Sequence, residues 1–178
     1  MFLGVMVGCL VLGMKRISEI VFPRMTVLVT TCNRDGKPNV ATFSFFMPVS
    51  FDPKYVAFSV SPKRHTFSNL REVEEFVVNI PSGDMLKKVW ICGTYSGKDT
   101  DKFSLAHFTP IKSVKVQPPR IKECPVQFEC KVEFLGEFGD HFLVVGKVVE
   151  ENVEKTDFEP ILHYSGKEFF KLGEKIQV

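Results

Sequence analysis

Residues 25–46 read MTVLVTTCNRDGKPNVATFSFF, and this stretch is the clearest indication of the fold class. Segments 25–32 and 39–46 are rich in β-branched and aromatic residues, which favour strands. Between them, NRDGKP contains the turn signal Asp35-Gly36. The stretch therefore predicts a β-hairpin, and YVAFSV at 55–60 predicts a third strand after it.

The period of the hydrophobic pattern changes after residue 60. Ser61 and Pro62 are typical of a helix cap and a first-turn proline, and they predict a helix through about Val73. Phe67 and Leu70 would share one face of this helix. Further helices are predicted at 84–90 and 101–108.

The rest of the chain is predicted to be mainly strand. The predicted strands are 76–80, 128–135, 141–153 and 168–172. Clean alternation in 128–135 would turn four side chains inward: Phe128, Cys130, Val132 and Phe134. Strands and turns around a few short helices predict a mainly β fold, a small barrel with helical insertions.

Length and charge exclude several classes of protein. The chain has 178 residues, enough for one domain with a substantial core. Its net charge of +2 gives no long-range field that would recruit nucleic acid or an anionic membrane. We therefore expect neither partner, and we expect any anion site to be local.

The first thirteen residues, MFLGVMVGCLVLG, form an uncharged apolar extension of uncertain status. The run is too short to span a bilayer, and it lacks the basic start and the small-residue cleavage site of a signal peptide. Met14 as the true start and a docked apolar strand are both open interpretations. We expect residues 14–178 to form the single domain.

The cysteines indicate a reducing compartment. Their number is odd and they include no CxxC pair, which argues against both a disulfide framework and a zinc site. We therefore expect buried free thiols and a cytoplasmic protein. The five positions are Cys9, Cys32, Cys92, Cys124 and Cys130.

The loop SPKRHT (61–66) is a candidate anion site. Arg64 can offer a bidentate fork, Thr66 a hydroxyl, and the start of the helix free backbone N–H groups. A solvated loop that simply leads into a helix is the alternative.

Alternation along 39–46 places Ala41, Phe43 and Phe45 on one face, and Val40, Thr42 and Ser44 on the other. Small hydroxyl residues suit a planar heteroaromatic ligand that approaches the backbone closely. A polar solvent face explains them equally well at this point.

Signatures of other chemistries are missing from the sequence. It contains no GxGxxG, no P-loop and no HExxH motif, and GTYSG at 93–97 is not a GxSxG nucleophile elbow. No motif therefore indicates a catalytic side chain or a metal site, and a triad assembled from distant residues stays open at this point.

An ordered set of segments resembles the flavin reductase-like, FMN-binding split-barrel family. The set runs from about Pro23 to Leu172, and each segment is weak alone. Its members are the stretch from VLVTTC to YVAFSV, then RHTFSNL, EFVVNIP, DKF and GDHFLVVGKV. The resemblance implies a six-stranded, Greek-key-like antiparallel split β-barrel, usually a homodimer, that binds FMN near the subunit interface.

The resemblance also implies site residues. Those that would line the flavin ring are Thr42, Phe43, Ser44, Phe45, Ser59 and Val60. Those that would hold the ribityl phosphate are Arg64, His65 and Thr66, with Lys102 near the cofactor. His141, in Gly139-Asp140-His141, matches a segment associated with nicotinamide binding.

Three functions follow as hypotheses. The first is an FMN-binding oxidoreductase, an NAD(P)H-dependent flavin or ferric reductase. The second is a flavoredoxin-like FMN electron carrier that exchanges electrons with a protein partner and has no nicotinamide activity. The third is a barrel that stacks nucleobases on Phe faces, which the near-neutral charge disfavours.

Overall fold

The computed structural model describes residues 16–178. The apolar extension 1–13, Met14 and the predictions made for them lie outside this range. The helices are α1 (Ile17–Ile20), α2 (His65–Glu72), α3 (Leu86–Thr94) and α4 (Lys102–Ala106). The strands are β1 (Arg24–Met25), β2 (Val27–Cys32), β3 (Pro38–Phe43), β4 (Phe46–Phe51), β5 (Lys54–Val60), β6 (Glu75–Ile80), β7 (Pro110–Ile111), β8 (Arg120–Ile121), β9 (Val126–Phe138), β10 (His141–Val153), β11 (Leu162–Ser165) and β12 (Glu168–Phe170).

A seven-stranded antiparallel sheet forms the body of the molecule. Its strand order is β3-β2-β6-β9-β10-β5-β4, and two small sheets, β1-β11-β12 and β7-β8, accompany it. The two edge strands β3 and β4 are joined only by Ser44 and Phe45, so the sheet must curl until its edges meet. The mainly β barrel class is confirmed, whereas the six strands expected for it are one too few.

The extra strand arises because the predicted strand 39–46 is interrupted. A bend at Ser44 and Phe45 ends the pairing of β3 with β2, and the chain then pairs with β5 instead. The Ser59 N–H donates to the Phe45 carbonyl at 3.0 Å across this transition. The bend therefore brings both edges of the sheet to one place.

Strand β2 is buried on both faces, because it separates two apolar clusters. Val27 and Val29 belong to the interior cluster of the barrel. Leu28 belongs to a second cluster, in which Val89 of α3 and Phe103 of α4 cover the opposite face. The helices predicted near 84–90 and 101–108 thus pack on the outside of the hairpin.

Two details of the predicted elements are wrong. Helix α2 begins at His65 with Arg64 as its cap residue, so Ser61 and Pro62 precede the helix as a turn. Phe134 does not face inward and is 46% exposed. A bulge at Glu133 pairs Val132 with Gly146 but Phe134 with Val145, and adjacent residues of β10 point to opposite faces.

Asn79, a buried residue of β6, anchors a neighbouring loop. Its Oδ1 accepts from the Ile121 N–H at 2.8 Å, and its Nδ2 donates to the Leu28 carbonyl at 3.3 Å. This amide therefore connects β8 to the main sheet.

The cysteines in the described part of the chain are free and buried, as predicted; they are Cys32, Cys92, Cys124 and Cys130. Burial raises the pKa of the Cys92 thiol to about 12, so it stays protonated and unreactive near neutral pH. No helix within residues 16–178 has both the length and the apolar character needed to cross a membrane.

Candidate functional site

A cavity of about 630 Å³ lies beside the bend at Ser44 and Phe45; we call it the bend cavity. The closure of the sheet builds it, because residues from β3, β5, β10 and the loop before α2 meet there. Most of the residues predicted for the site line it, namely Thr42, Phe43, Ser44, Phe45, Ser59, Arg64 and His141.

Hydroxyl groups line the middle of the bend cavity. Ser44 lies in the link between the two edge strands, and Ser59 lies in β5 next to that link. The Thr42 hydroxyl donates to the Val89 carbonyl of α3 at 2.6 Å, so it also fixes the helix against the strand. Its oxygen keeps lone pairs that can accept from a ligand.

Two cations lie in the loop at one end of the bend cavity. Lys63 and Arg64 both line it, and the Arg64 N–H closes a turn onto the Ser61 carbonyl at 3.0 Å. No side chain caps the first turn of α2. This end of the cavity therefore offers two positive charges beside a helix start, which favours an anionic group.

The other predicted site residues do not line the bend cavity. Val60 is buried in the interior cluster. Thr66 is also buried, and its hydroxyl accepts from Asn39 Nδ2 at 3.2 Å. His65 is the first residue of α2, and Lys102 of α4 lies close enough for its charge to act on His65 and to feel that of Arg64.

Lys102 is a buried cation whose Nζ donates to the Cys92 carbonyl at 3.2 Å. Desolvation lowers the pKa of Lys102 to about 8, opposed by Cys92 and assisted by the positive charge of Arg64. The pKa of His65 is also lowered, first by burial and then by the charges of Lys102, Lys98 and Lys37. The start of α2 is therefore strongly electropositive.

His141 lies at another part of the rim, directly after the turn between β9 and β10. Its Nδ1 is 2.9 Å from Asp140 Oδ1, and its ring centroid is 6.2 Å from that of Phe45. The hydrogen bond with His141 lowers the pKa of Asp140. The exposed carboxylate thus orients the imidazole beside the apolar wall of the cavity.

The sequence analysis missed Arg24 and His163, which also line the bend cavity. Arg24 Nη2 is 3.1 Å from His163 Nδ1, and His163 Nε2 is 3.1 Å from the Gly166 carbonyl. Since arginine can only donate and a carbonyl can only accept, His163 carries its proton on Nε2 and is neutral. No local sequence motif identifies either residue as part of a site. The two residues come together only because β1 pairs with β11 in the folded chain.

The bend cavity has an unbalanced charge. Its lining includes the cations of Arg24, Lys63 and Arg64 and, among the residues that the structure describes, no carboxylate. Its size is typical of a small-molecule site. No cluster of three or more His, Cys, Asp or Glu side chains suited to a metal ion occurs in residues 16–178. The charge and the size of the cavity favour an anionic organic molecule.

Comparison with known proteins agrees with this geometry. The family model described as "Flavin reductase like domain" matches residues 18–173. A protein of Pyrococcus abyssi without an assigned function is 34% identical over 89% of this chain and 95% of its own length. A flavin reductase of Pseudomonas putida is 29% identical over 82% of this chain and 81% of its own.

A solved structure is similar throughout. The flavoredoxin of Methanosarcina acetivorans superposes with a TM-score of 0.81 at 26% sequence identity, over 93% of this chain and 94% of that one. The family model and the Pyrococcus relative each cover most of the chain, and the fold is shared over nearly its whole described length. The chain belongs to the family of proteins with a flavin reductase-like domain.

Proposed function

We propose that the protein is an FMN-binding oxidoreductase, and that it acts as an NAD(P)H-dependent flavin or ferric reductase. The observation that carries the proposal is the convergence of Thr42, Ser44, Phe45, Ser59 and Arg64 on one cavity that has cations at one end. Membership of the flavin reductase-like family supports it.

The residues present fit FMN. Lys63 and Arg64 would hold the phosphate, which carries nearly two negative charges at neutral pH. The hydroxyls of Ser44 and Ser59 can exchange hydrogen bonds with the polar edge of the ring system. Phe45 supplies an apolar wall that excludes water from part of the cavity.

FMN, when bound, supplies hydride and single-electron chemistry, so the chain need not provide a nucleophile. The task of the protein is to bind and orient the reactants. His141, held by Asp140 at the rim, is the residue that we assign to contact with a nicotinamide donor.

A flavoredoxin-like electron carrier is the second candidate function. The structural likeness to the Methanosarcina flavoredoxin supports it. A carrier would have the same FMN site but would exchange electrons with a redox protein instead of a nicotinamide.

An anaerobic absorbance experiment separates these functions. Protein saturated with FMN should show the oxidised flavin bands near roughly 370 and 450 nm, and NADH or NADPH should bleach them if it is a reductase. Bands that persist until dithionite is added would favour the carrier. Protein that is colourless and does not retain added FMN would overturn both candidates.

We further propose that the protein is a cytoplasmic homodimer. Large exposed apolar side chains support the dimer, among them Val49 and Phe51 on the edge strand β4. Phe51 is 95% exposed, which is unusual for this residue type unless a partner covers it. The expected partners are small-molecule electron donors and acceptors or a redox protein, with neither nucleic acid nor membrane among them.

A further inference from the structure

A second cavity, of about 480 Å³, adjoins the bend cavity on the outer face of the sheet; we call it the outer cavity. Its lining includes Ala57 of β5 and the cross-strand partner of Ala57, Met47 of β4, and Ala57 is only 1% exposed. Ile17 of helix α1 also lines it, as do Val21 and Pro23, which follow the helix. The outer cavity is thus a mainly apolar space between the sheet and α1.

The two cavities share part of their lining. The shared residues are Arg24, Ser44, Phe45 and Ser59. A molecule in the outer cavity would therefore lie next to a molecule in the bend cavity, whereas Lys63 and Arg64 line the bend cavity alone.

Arg24 is a buried cation with no acidic partner. It is 8% exposed, and it forms no ion pair with any carboxylate in the described part of the chain. Its Nη atoms donate to neutral acceptors, including the Ser18 carbonyl at 2.6 Å and the Tyr164 carbonyl at 2.7 Å. Its Nε is buried and has no partner among residues 16–178. These acceptors position the guanidinium without neutralising it.

Burial strengthens the effect of this charge, while the face of the Phe45 ring attracts and positions the guanidinium. The guanidinium lies 5.8 Å from the Phe45 ring centroid, and desolvation lowers the pKa of Arg24. Since arginine stays protonated in proteins, the result is an uncompensated positive charge in a poorly solvated place.

Each cation that lines the two cavities can be matched with a negative charge on a ligand. Lys63 and Arg64 match the two negative charges of the FMN phosphate at one end of the bend cavity. Arg24 then remains without an anion to match its charge, and neither cavity is lined by a carboxylate from the described residues. With FMN bound, one cation would remain unmatched, and a ligand with one negative charge beside Arg24 would neutralise it.

We infer that the outer cavity is a subsite for a small aromatic carboxylate, with its ring in the apolar space and its charge toward Arg24. This inference rests on the proposed FMN site, because the phosphate is what accounts for the other two cations. It names the class of substrate that would lie beside the cofactor.

Calorimetric titration of FMN-saturated protein with benzoate and with benzyl alcohol tests the inference. The two probes share an aromatic ring, and only benzoate carries a charge. We expect benzoate to bind at least about tenfold more tightly, as for a ligand that meets an unpaired buried cation. Equal affinity for the two probes, or no binding of either, would overturn the subsite.

Two variants locate the charge. Arg24→Gln should abolish the preference for benzoate, whereas Lys147→Gln, which removes an exposed charge that lines neither cavity, should keep it. A preference that survives in Arg24→Gln would contradict the assignment to Arg24.

Arg24 also holds α1 and β11 in place, so Arg24→Gln could disturb the fold itself. A second pair of variants therefore tests the subsite without changing Arg24. Ile17 is 70% exposed at the edge of the outer cavity, so changes there should leave folding intact. Ile17→Glu supplies a carboxylate near Arg24 and should weaken benzoate about tenfold, while Ile17→Gln should not. Equal benzoate affinity in the two variants would count against the subsite.

The titration also separates this inference from the proposed function. Protein that fails to bind FMN refutes the cofactor site. Protein that binds FMN with its visible bands but shows no preference for benzoate refutes only the outer subsite.

Discussion

Arg64 is the residue on which recognition of the phosphate most depends. It lies exposed at the start of α2 and lines the bend cavity. Arg64→Ala should weaken FMN binding by about 1.5–3 kcal/mol, toward the lower figure because solvent screens an exposed charge. Fluorescence titration of FMN measures the loss. Arg34→Ala, at an exposed position in the β2–β3 turn, is the matched control and should leave the affinity unchanged; equal affinities in the two variants would remove Arg64 from the site.

Lys102 makes the stability of the FMN-free protein depend on pH. Its folded-state pKa is about 8 against 10.5 for the free side chain, so the unfolded chain binds more protons between these values. The free energy of unfolding of the wild-type protein, minus that of Lys102→Met, should therefore rise as the pH increases from 8 to 10.5. The reason is that deprotonation of Lys102 removes the cost of burying its charge. Urea unfolding of both proteins across this range gives the difference, and a flat difference would contradict the lowered pKa.

FMN binding should show the opposite dependence on pH. A phosphate near Lys102 favours its protonated form, so FMN affinity should fall several-fold as the pH rises through about 8. Lys102→Gln should remove most of this dependence. A fall in affinity of equal size in the variant would mean that another group titrates.

At the scale of elements, the connection between α3 and α4 is pressed against the hairpin. A Cβ at Gly97 would overlap Asn39 Oδ1 and would lie 3.0 Å from His65 Cδ2. The Asn39 side chain cannot withdraw freely, because it is buried and donates to Thr66. The connection thus presses on both β3 and the start of α2.

Gly97→Ala should therefore destabilise the fold by about 1–3 kcal/mol, as overpacking does. It should also weaken FMN binding, because the start of α2 would shift. Urea unfolding is the measurement. Gly173→Ala is the matched control, since no atom lies within 4 Å of its added Cβ. If the two variants unfold at the same urea concentration, the contact is not a tight one.

At the scale of the whole molecule, the proposed dimer predicts a mass of about twice the 20.2 kDa chain by light scattering. The double change Val49→Asp and Phe51→Asp should halve that mass, because charges on an apolar edge oppose pairing. Leu172→Asp, at another exposed apolar position, should leave it unchanged. A wild-type protein with the mass of one chain would exclude the dimer.

Much of this architecture could be predicted from the sequence, because alternation and turn residues act over short distances. The hairpin of β2 and β3, strand β5, the apolar face of α2 and the long strand β10 all follow from neighbouring residues. The order of the family segments also predicted Thr42, Ser44, Phe45, Ser59 and Arg64, which the fold brings to one cavity.

Other features depend on strands that are distant in sequence. Phe134 turned outward because a bulge against β10 changes the face of every later residue in β9, and a period-two pattern contains no sign of it. Arg24 joined the site only because β1 pairs with β11, which lies far along the chain. The break at Ser44 and Phe45 became a site because sheet closure brings both edges there.

The sequence by itself thus determined helices α2, α3 and α4, the family, the cationic loop and seven strands: β2, β3, β5, β6, β9, β10 and β12. Each of these depends on residues close together in the chain or on their order. Only the tertiary structure decided which of these residues share a cavity, that a second cavity adjoins it, and that Arg24 lies there without an acidic partner. The physical reason is that burial and charge pairing are set by contacts between strands remote in sequence, and such contacts exist only once the sheet has closed.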